Sequence, residues 1–242
     1  MRYRSGARQR REVGELWEAF AREHPEYYIC TELADYGIPP DLASFFSSAE
    51  PEVREILTSV ETWLPARRVA IEVGAGVGRL AIPMANVFEK VYAVDISATM
   101  LARLRENLAQ RRIENVAPVL AADAATVDAQ ADLVYSRLVF QHIESPGDIR
   151  QYIELVRRWL GESGVAYLQF DTRAETLVYR VRNRVPDSLL PRTSRRGIRR
   201  IRRRPGVLAE WLAENGLSVR AELRPRSEDH IFVVTATASS PH

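Results

Sequence analysis

The chain has 242 residues, of which 46% are hydrophobic and 27% charged, and this composition is typical of one large domain or of one domain with appendages. Its 34 basic and 32 acidic side chains leave a formal charge of +2, which excludes a polyelectrolyte. The single cysteine, Cys30, excludes a disulfide framework, and the four histidines lack metal-ligand spacing, so no metal is expected. We find no run of about 18 apolar residues that would predict a membrane span. The first residues lack the apolar core of a signal peptide, so a cytoplasmic location is expected.

Residues 1–64 are predicted to form a helical cap that precedes the core. Helical spacing predicts one helix over 12–23 and another over 51–63. The segment is rich in aromatic side chains, namely Trp17, Phe20, Tyr27 and Tyr28. Two interpretations stay open: the aromatic face packs onto the domain, or it lines a substrate pocket as a lid.

From residue 65 strands and helices alternate, which predicts a domain over 65–238 built on a parallel sheet. The predicted strands are 68–73, 90–95, 116–121, 131–136, 165–170, 217–223 and 231–236, and the predicted helices are 79–88, 98–111, 146–160 and 205–215. Ser97 is expected to cap the second of these helices, and Pro83 is tolerated near the start of the first. The last two strands are expected to form an antiparallel hairpin.

Residues 172–204 interrupt this alternation and are rich in arginine. The arginines of the densest part are Arg192, Arg195, Arg196, Arg199, Arg200, Arg202, Arg203 and Arg204. Three interpretations stay open for this run: a solvated face, a site for an anionic small substrate, and a surface for nucleic acid or an anionic membrane. A phosphate-binding role would give strong salt dependence, but the run contains no interleaved aromatic residues.

The most informative stretch joins the first predicted strand to the first predicted helix of the core. Glu72, Gly74, Gly76 and Gly78 form an E-x-G-x-G-x-G motif, in which the glycines permit positive φ and a close approach of a ligand. The dinucleotide fingerprint needs a small residue where Arg79 stands, and an acidic Glu72 would repel a pyrophosphate. The motif therefore favours a cationic ligand that carries an ammonium and a sulfonium, over a glycine turn that binds nothing.

In this motif the chain resembles the class I S-adenosylmethionine-dependent methyltransferases, and the resemblance covers roughly residues 66–238. It implies a seven-stranded, mostly parallel, Rossmann-like α/β sheet with helices on both faces and a closing antiparallel hairpin. It also implies that S-adenosyl-L-methionine is the cofactor. The enzyme would then be a methyltransferase.

The cofactor residues are predicted at the carboxyl ends of the strands, where open α/β sheets bind their ligands. The predicted set is Glu72, Gly74, Ala75, Gly76, Gly78, Asp95, Ile96, Met100, Asp123, Ala124 and Ser136. Asp95 ends the second strand, where a carboxylate can accept from both ribose hydroxyls. Ile96 and Met100 are apolar and can pack on the adenine, although Met100 is equally well explained as core. The resemblance implies that Asp123 accepts from the adenine amino group, and Ser136 begins the backbone expected to meet the ammonium.

His142 follows the fourth strand and is the candidate catalytic residue. A neutral imidazole can take a proton from an acceptor hydroxyl. A structural histidine at this place is common in the family, so both interpretations stay open.

The acceptor is the least determined part of the prediction, because one fold serves many substrates. Residues 136–139 lack the Asp/Asn-Pro-Pro-aromatic motif of the enzymes that methylate nucleobase amino groups, and Cys30 lies too far upstream to serve as a cytosine C5 nucleophile. The first hypothesis is that the acceptor is a small molecule or a glycan or lipid intermediate. If this acceptor is anionic, the arginines of residues 192–204 would suit it. An RNA- or polyanion-directed enzyme that uses residues 192–204 and a non-catalytic scaffold are the alternatives.

Overall fold

A computed structural model of the chain describes residues 6–22, 42–186, 189–190 and 199–237. The helices are α1 (Gly6–Arg22), α2 (Leu42–Ser47), α3 (Ala49–Val60), α4 (Ala81–Met84), α5 (Ala98–Arg111), α6 (Pro146–Trp159), α7 (Leu177–Arg182) and α8 (Pro205–Glu214). The strands are β1 (Val69–Val73), β2 (Lys90–Asp95), β3 (Val116–Leu120), β4 (Ala131–Ser136), β5 (Leu160–Phe170), β6 (Leu217–Leu223) and β7 (His230–Ala236). Tyr27, Tyr28 and Cys30, together with Arg192, Arg195 and Arg196, lie outside the described residues.

The seven strands form one sheet in the order β3-β2-β1-β4-β5-β7-β6. Strands β1 to β5 pair in parallel, and β7 runs antiparallel to both β5 and β6. The predicted mostly parallel, Rossmann-like sheet with its antiparallel closing hairpin is confirmed. The strand order reverses between β1 and β4, which places the ligand crevice of such a sheet at the carboxyl ends of these two strands.

Helices cover both faces of the sheet because successive strand residues point to opposite sides. On one face, Ala70 and Leu133 belong to a core cluster that includes buried residues of α3, α4 and α5. On the other face, Ile71 and Val134 pack in a cluster with α6 and α8. The sheet is therefore buried on both sides, as a parallel sheet requires.

Several boundaries agree with the periodicity, and two differ for a local reason. The bounds of β2, α5 and β4 match the predicted ones, and Ser97 Oγ accepts from Met100 N at 3.1 Å as the predicted cap. The predicted helix over 79–88 shrinks to α4. Pro83 has no N–H, which interrupts the helical hydrogen bonds at the start, and beyond Met84 the amides of Asn86 and Val87 bond to carbonyl groups three residues back instead of four. Strand β5 begins at Leu160, before the predicted residue 165. Leu160 pairs with Ala131 of β4, and a register shift between Ala131 and Leu133 separates this pair from the regular pairing that begins at Val165.

Helix α1 lies against the N-terminus of α5. The carboxylate of Glu18 accepts hydrogen bonds from the amide (3.3 Å) and the hydroxyl of Thr99, in the first turn of α5. An anionic side chain is favourable there because the helix macrodipole is positive at that end. These contacts hold α1 beside the carboxyl end of β2, although a separate cap domain over 1–64 stays a prediction.

Within the described ranges, the helices fall short of the length and apolar character that crossing a bilayer would demand.

Candidate active site

An open cavity of about 1190 Å³, its mouth included, lies at the carboxyl ends of β1, β2 and β4. It stands where the strand order reverses, as the fold rule predicts. Seven of the predicted site residues line it, namely Glu72, Gly74, Ala75, Asp95, Ile96, Met100 and His142.

The glycine loop between β1 and α4 forms the floor of this cavity. Gly74 has φ of 82°, and the amides of Gly74 and Ala75 both donate to Val94 O, at 2.8 and 3.0 Å. Gly78 serves packing instead, because a Cβ at its φ of 93° would lie 2.3 Å from Leu104 Cδ1 of α5. One glycine thus exposes backbone to the cavity, and the other lets α5 approach the loop.

Asp95 joins the end of β2 to the glycine loop. Its Oδ2 accepts from Gly76 N at 2.8 Å, and its Oδ1 accepts from Ser97 N at 2.9 Å. A carboxylate has about four lone-pair positions, so each oxygen keeps one for a ligand hydroxyl. Asp95 can therefore fix the loop and still accept from two vicinal hydroxyls on the cavity side.

Glu72 lies beneath the loop and is almost completely buried, with 3% of its surface exposed. The Tyr135 hydroxyl donates to Glu72 Oε2 at 3.1 Å from the neighbouring strand β4. Burial raises the pKa of Glu72 to about 8, and the Tyr135 hydrogen bond and Arg79 oppose this only in part. The carboxyl group is thus mainly protonated at neutral pH until a positive charge arrives beside it.

This raised pKa predicts how stability changes with pH. The pKa of Glu72 is about 8 in the folded chain against 4.5 for an ordinary glutamate, so between these values the folded state holds a proton that the unfolded state has lost. The free energy of unfolding should therefore fall as pH rises from about 5 to about 8. In Glu72→Gln, which keeps an acceptor for Tyr135, this fall should be smaller by more than about 1 kcal/mol. Urea unfolding of both proteins at the two pH values measures the difference, and equal slopes would contradict it.

Arg79 and Arg137 form a buried charged cluster with Glu52 of α3. The Arg79 guanidinium binds the Glu52 carboxylate in bidentate fashion at 2.7 and 2.9 Å, and Arg137 Nε lies 3.1 Å from the same carboxylate. Arg79 follows the glycine loop and Arg137 follows β4, so one acid of α3 connects two loops of the cavity. Both arginines are charge-paired here, in a geometry that holds their planes in place.

His142 and Trp17 of α1 both line the cavity and contact each other. The two rings meet edge to face, with centroids 5.9 Å apart, and Gln141 Nε2 lies 3.3 Å from His142 Nε2. Trp17 also contacts Phe20 edge to face at 5.6 Å, so α1 presents an aromatic edge to the cavity. The predicted lid residue and the predicted catalytic residue are therefore in contact in the wall of one cavity.

The structure does not bring the remaining predicted residues to the cavity wall. Gly76 binds Asp95 through its amide, and Gly78 packs on α5. Ser136 is buried and its hydroxyl donates to Val73 O at 3.1 Å. Asp123 is exposed in a short 3-10 helix after β3, and Ala124 is buried in the core. Their roles toward a cofactor stay predictions.

The wall also contains residues that the sequence analysis did not assign to the site. Beyond the backbone of Arg137 and Leu138, which was expected there, those after β4 are Val139, Ile143, Glu144, Ser145, Asp148 and Tyr152, and those near the glycine loop are Val73, Arg79, Leu80 and Val94. Leu138 has a φ of 59°, and its amide donates to Gln169 Oε1 at 2.8 Å. The sequence contained a signal for the segment after β4, because β4 is one of the two strands between which the strand order reverses.

Four of the described arginines of the predicted run, Arg199, Arg200, Arg202 and Arg203, are bound within the chain, whereas Arg204 is exposed. Arg199 pairs with Glu144 at 2.9 Å, and Arg200 pairs with Glu228 at 2.9 Å. The Arg203 guanidinium donates to the carbonyl oxygen of Ile143, and burial lowers its pKa to about 10. These contacts fasten residues 199–203 to the cavity wall.

The cavity fits the cofactor that the motif suggested. It offers exposed backbone at Gly74, a carboxylate at Asp95 for vicinal hydroxyls, and apolar surface at Ile96 and Met100 for a base. Its acidic groups suit a cationic ligand. Among the described residues, no group of three or more His, Cys, Asp or Glu side chains is arranged to hold a metal ion.

Three solved structures show the same fold at low sequence identity. An S-adenosylmethionine-dependent methyltransferase from Clostridium acetobutylicum ATCC 824 matches with a TM-score of 0.63 and 13% identity, over 78% of this chain and 92% of its own. Magnesium protoporphyrin IX methyltransferase from Synechocystis PCC 6803 with bound SAH matches with 0.62 and 17%, over 93% and 100%. DhpI in a complex with SAM and HEP matches with 0.61 and 20%, over 96% and 99%.

No curated protein sequence matches this chain. Residues 71–168 match a family model described as a methyltransferase domain, and this range contains the glycine motif, Asp95 and His142. The match over residues 71–168 and the shared fold identify this part of the chain as a methyltransferase domain.

Proposed function

We propose that the enzyme methylates a small molecule, or a glycan or lipid intermediate, that enters beneath α1. The observation that carries this proposal is that Trp17 of α1 lines the cavity and contacts His142 there. A helix beside the mouth of the cavity leaves room for a compact acceptor and hinders a folded polymer.

We further propose that the part of the acceptor that enters the cavity is uncharged. Arg79 and Arg137 are the arginines among the described wall residues, and both are paired with Glu52. Arg199, just behind the wall, is paired with Glu144. An anionic group would have to compete with these carboxylates, which argues against the anionic acceptor that the arginine run suggested.

The chain's own residues would orient the reactants and exclude water. When bound, S-adenosylmethionine supplies an activated sulfonium methyl group. Asp95 and the glycine loop would hold the donor in position, and Trp17 would keep water from the opening. His142, at the opening, would accept the proton of an acceptor hydroxyl on a ring nitrogen as the methyl group is transferred.

Relatives in fold give independent support for a small acceptor. One is named for magnesium protoporphyrin IX, and DhpI was crystallised with SAM and HEP. An RNA-directed enzyme is the second candidate, but its favoured segment is partly bound within the chain at Arg199, Arg200 and Arg203. A cytoplasmic location stays a prediction.

The test is a transfer assay with radiolabelled S-adenosylmethionine and separate acceptor pools. The pools are a low-molecular-mass cell extract, a lipid extract, total RNA and total protein, and production of S-adenosylhomocysteine is followed in each. We expect label in the small-molecule or lipid pool, and none of it in RNA or protein. Label confined to RNA would establish the second candidate, and no turnover with any pool would favour a scaffold.

The same assay tests His142. We expect His142→Asn to lower kcat by about a hundredfold, the lower range for general acid–base catalysis, without a change in affinity for S-adenosylhomocysteine. Gln151→Asn, on the outer side of α6, is the matched control and should keep full activity. An unchanged kcat in His142→Asn would assign this histidine to structure.

A further inference from the structure

Helix α7 exposes its apolar side to solvent, which is the reverse of an ordinary surface helix. Leu177, Val178 and Val181 are 73%, 77% and 56% exposed, and Leu189 just beyond the helix is 75% exposed. The residue of α7 that the structure buries is Tyr179. An apolar surface of this kind normally marks a site of contact with another body.

The arginines of α7 border this apolar surface on both sides. Successive residues of a helix turn by about 100°, which places Leu177, Val178 and Val181 together and Tyr179 opposite. By the same geometry Arg180 and Arg182 fall on either side of the apolar stripe. Both are exposed, as is Arg184, and the part of the chain that the structure describes offers these three side chains no acidic partner. We call Leu177, Val178, Arg180, Val181 and Arg182 the α7 patch.

We propose that the α7 patch docks the enzyme on an anionic membrane surface. Aliphatic side chains bordered by arginines are the composition of helices that lie in the membrane interface: the apolar side enters the boundary of the acyl chains, and the cations meet anionic headgroups. Charge complementarity therefore favours an anionic partner, and the aliphatic stripe favours lipid over nucleic acid. Single-stranded nucleic acid needs exposed aromatic platforms, whereas Tyr179 is buried beneath Arg202, whose guanidinium lies 4.5 Å from the ring centroid.

The α7 patch is connected to the active-site wall by a short series of contacts. Arg202 N donates to the Tyr179 hydroxyl at 2.9 Å, and Ile201 N donates to Gln141 O at 2.7 Å, next to His142. Docking through α7 would thus orient the cavity with respect to the bilayer. The inference does not depend on the acceptor, although it agrees with an apolar or lipid-linked one.

The test is flotation of the full chain with vesicles at physiological salt. We expect binding to vesicles of equal parts phosphatidylcholine and phosphatidylglycerol, and none to phosphatidylcholine alone. Two double variants divide the patch: Leu177→Ser with Val181→Ser removes the apolar part, and Arg180→Gln with Arg182→Gln removes the charge. Each should lower the affinity for the anionic vesicles at least tenfold. Arg105→Gln with Arg158→Gln, two exposed arginines on α5 and α6, is the matched control and should bind as the unmodified chain does.

Affinity for S-adenosylhomocysteine, measured for every variant, verifies that the fold is retained. No binding of the unmodified chain to anionic vesicles overturns the proposal. So does binding that survives loss of the apolar pair, because the site would then recognise any polyanion, and RNA would compete for it. Equal loss in the Arg105 and Arg158 control would show a general charge effect and overturn it as well.

Discussion

Replacing Gly74 by alanine is expected to abolish measurable cofactor binding and to lower the free energy of unfolding by at least about 2 kcal/mol. Gly74 has a φ of 82°, and a Cβ there would lie 2.1 Å from Val139 Cγ2 and 3.2 Å from Val139 Cβ. A left-handed backbone costs a non-glycine residue about 1–2 kcal/mol, and overpacking adds about 1–3 kcal/mol. Rotation of Val139 removes only part of the overlap, because its Cβ does not move with χ1.

The contribution of the overlap can be separated from that of the backbone. In Gly74→Ala with Val139→Ala the collision with Cγ2 disappears, whereas the positive φ remains, so stability should be recovered only in part. Val139→Ala alone is the control for the truncation. Thermal unfolding and titration with S-adenosylhomocysteine give both quantities for the three variants. A single Gly74→Ala variant with unaltered affinity and unfolding temperature would remove this loop from the site.

Replacing Asp95 by alanine is expected to weaken binding of S-adenosylmethionine and S-adenosylhomocysteine alike, by about ten- to a hundredfold, or about 1.4 to 2.8 kcal/mol. The change removes the acceptor proposed for two ribose hydroxyls, and it also releases the amides of Gly76 and Ser97. A hydrogen bond to a charged group contributes about 1.5–3 kcal/mol, so the net loss of one such bond accounts for the range.

Asp95→Asn separates the loss of the ribose acceptor from the release of the loop amides. Its side-chain carbonyl oxygen can still accept from Gly76 or from one hydroxyl, so we expect an intermediate affinity. Asp128→Ala changes an exposed aspartate outside the cavity and is the matched control. Calorimetry measures the affinities. If Asp95→Ala bound both ligands as tightly as the control, the ribose role would be refuted.

Most of the fold was predictable because its signals are local. The β-branched residues of β1 and the four apolar residues of α5 need no knowledge of distant partners, and Ser97 caps α5 through its own first turn. The E-x-G-x-G-x-G motif is likewise contiguous, and its residues at the strand end line the cavity. The predicted helix over 79–88 was too long, because the prediction gave too little weight to the hydrogen bond that Pro83 cannot donate.

The site was predictable only where its residues follow a strand directly. Trp17 and His142 meet although 125 positions separate them, and no periodicity predicts that contact. The pairing of Arg79 with Glu52 was also hidden, because Arg79 was considered only as a bulky residue in a glycine motif. Asp123 shows the opposite case: its position after β3 suggested a role at the cavity, whereas the 3-10 helix places it in solvent.

The shared carboxylate of Glu52 has a consequence for the construction of chimeras. One acid from the N-terminal half neutralises cations that arise at two separate places of the sheet, after β1 and after β4. The N-terminal helices are therefore not an interchangeable module. A transplanted segment that lacks an acid at position 52 would leave the guanidinium groups of Arg79 and Arg137 buried without this partner. Swapping these helices between enzymes therefore requires that position 52 be matched to the arginines that it contacts.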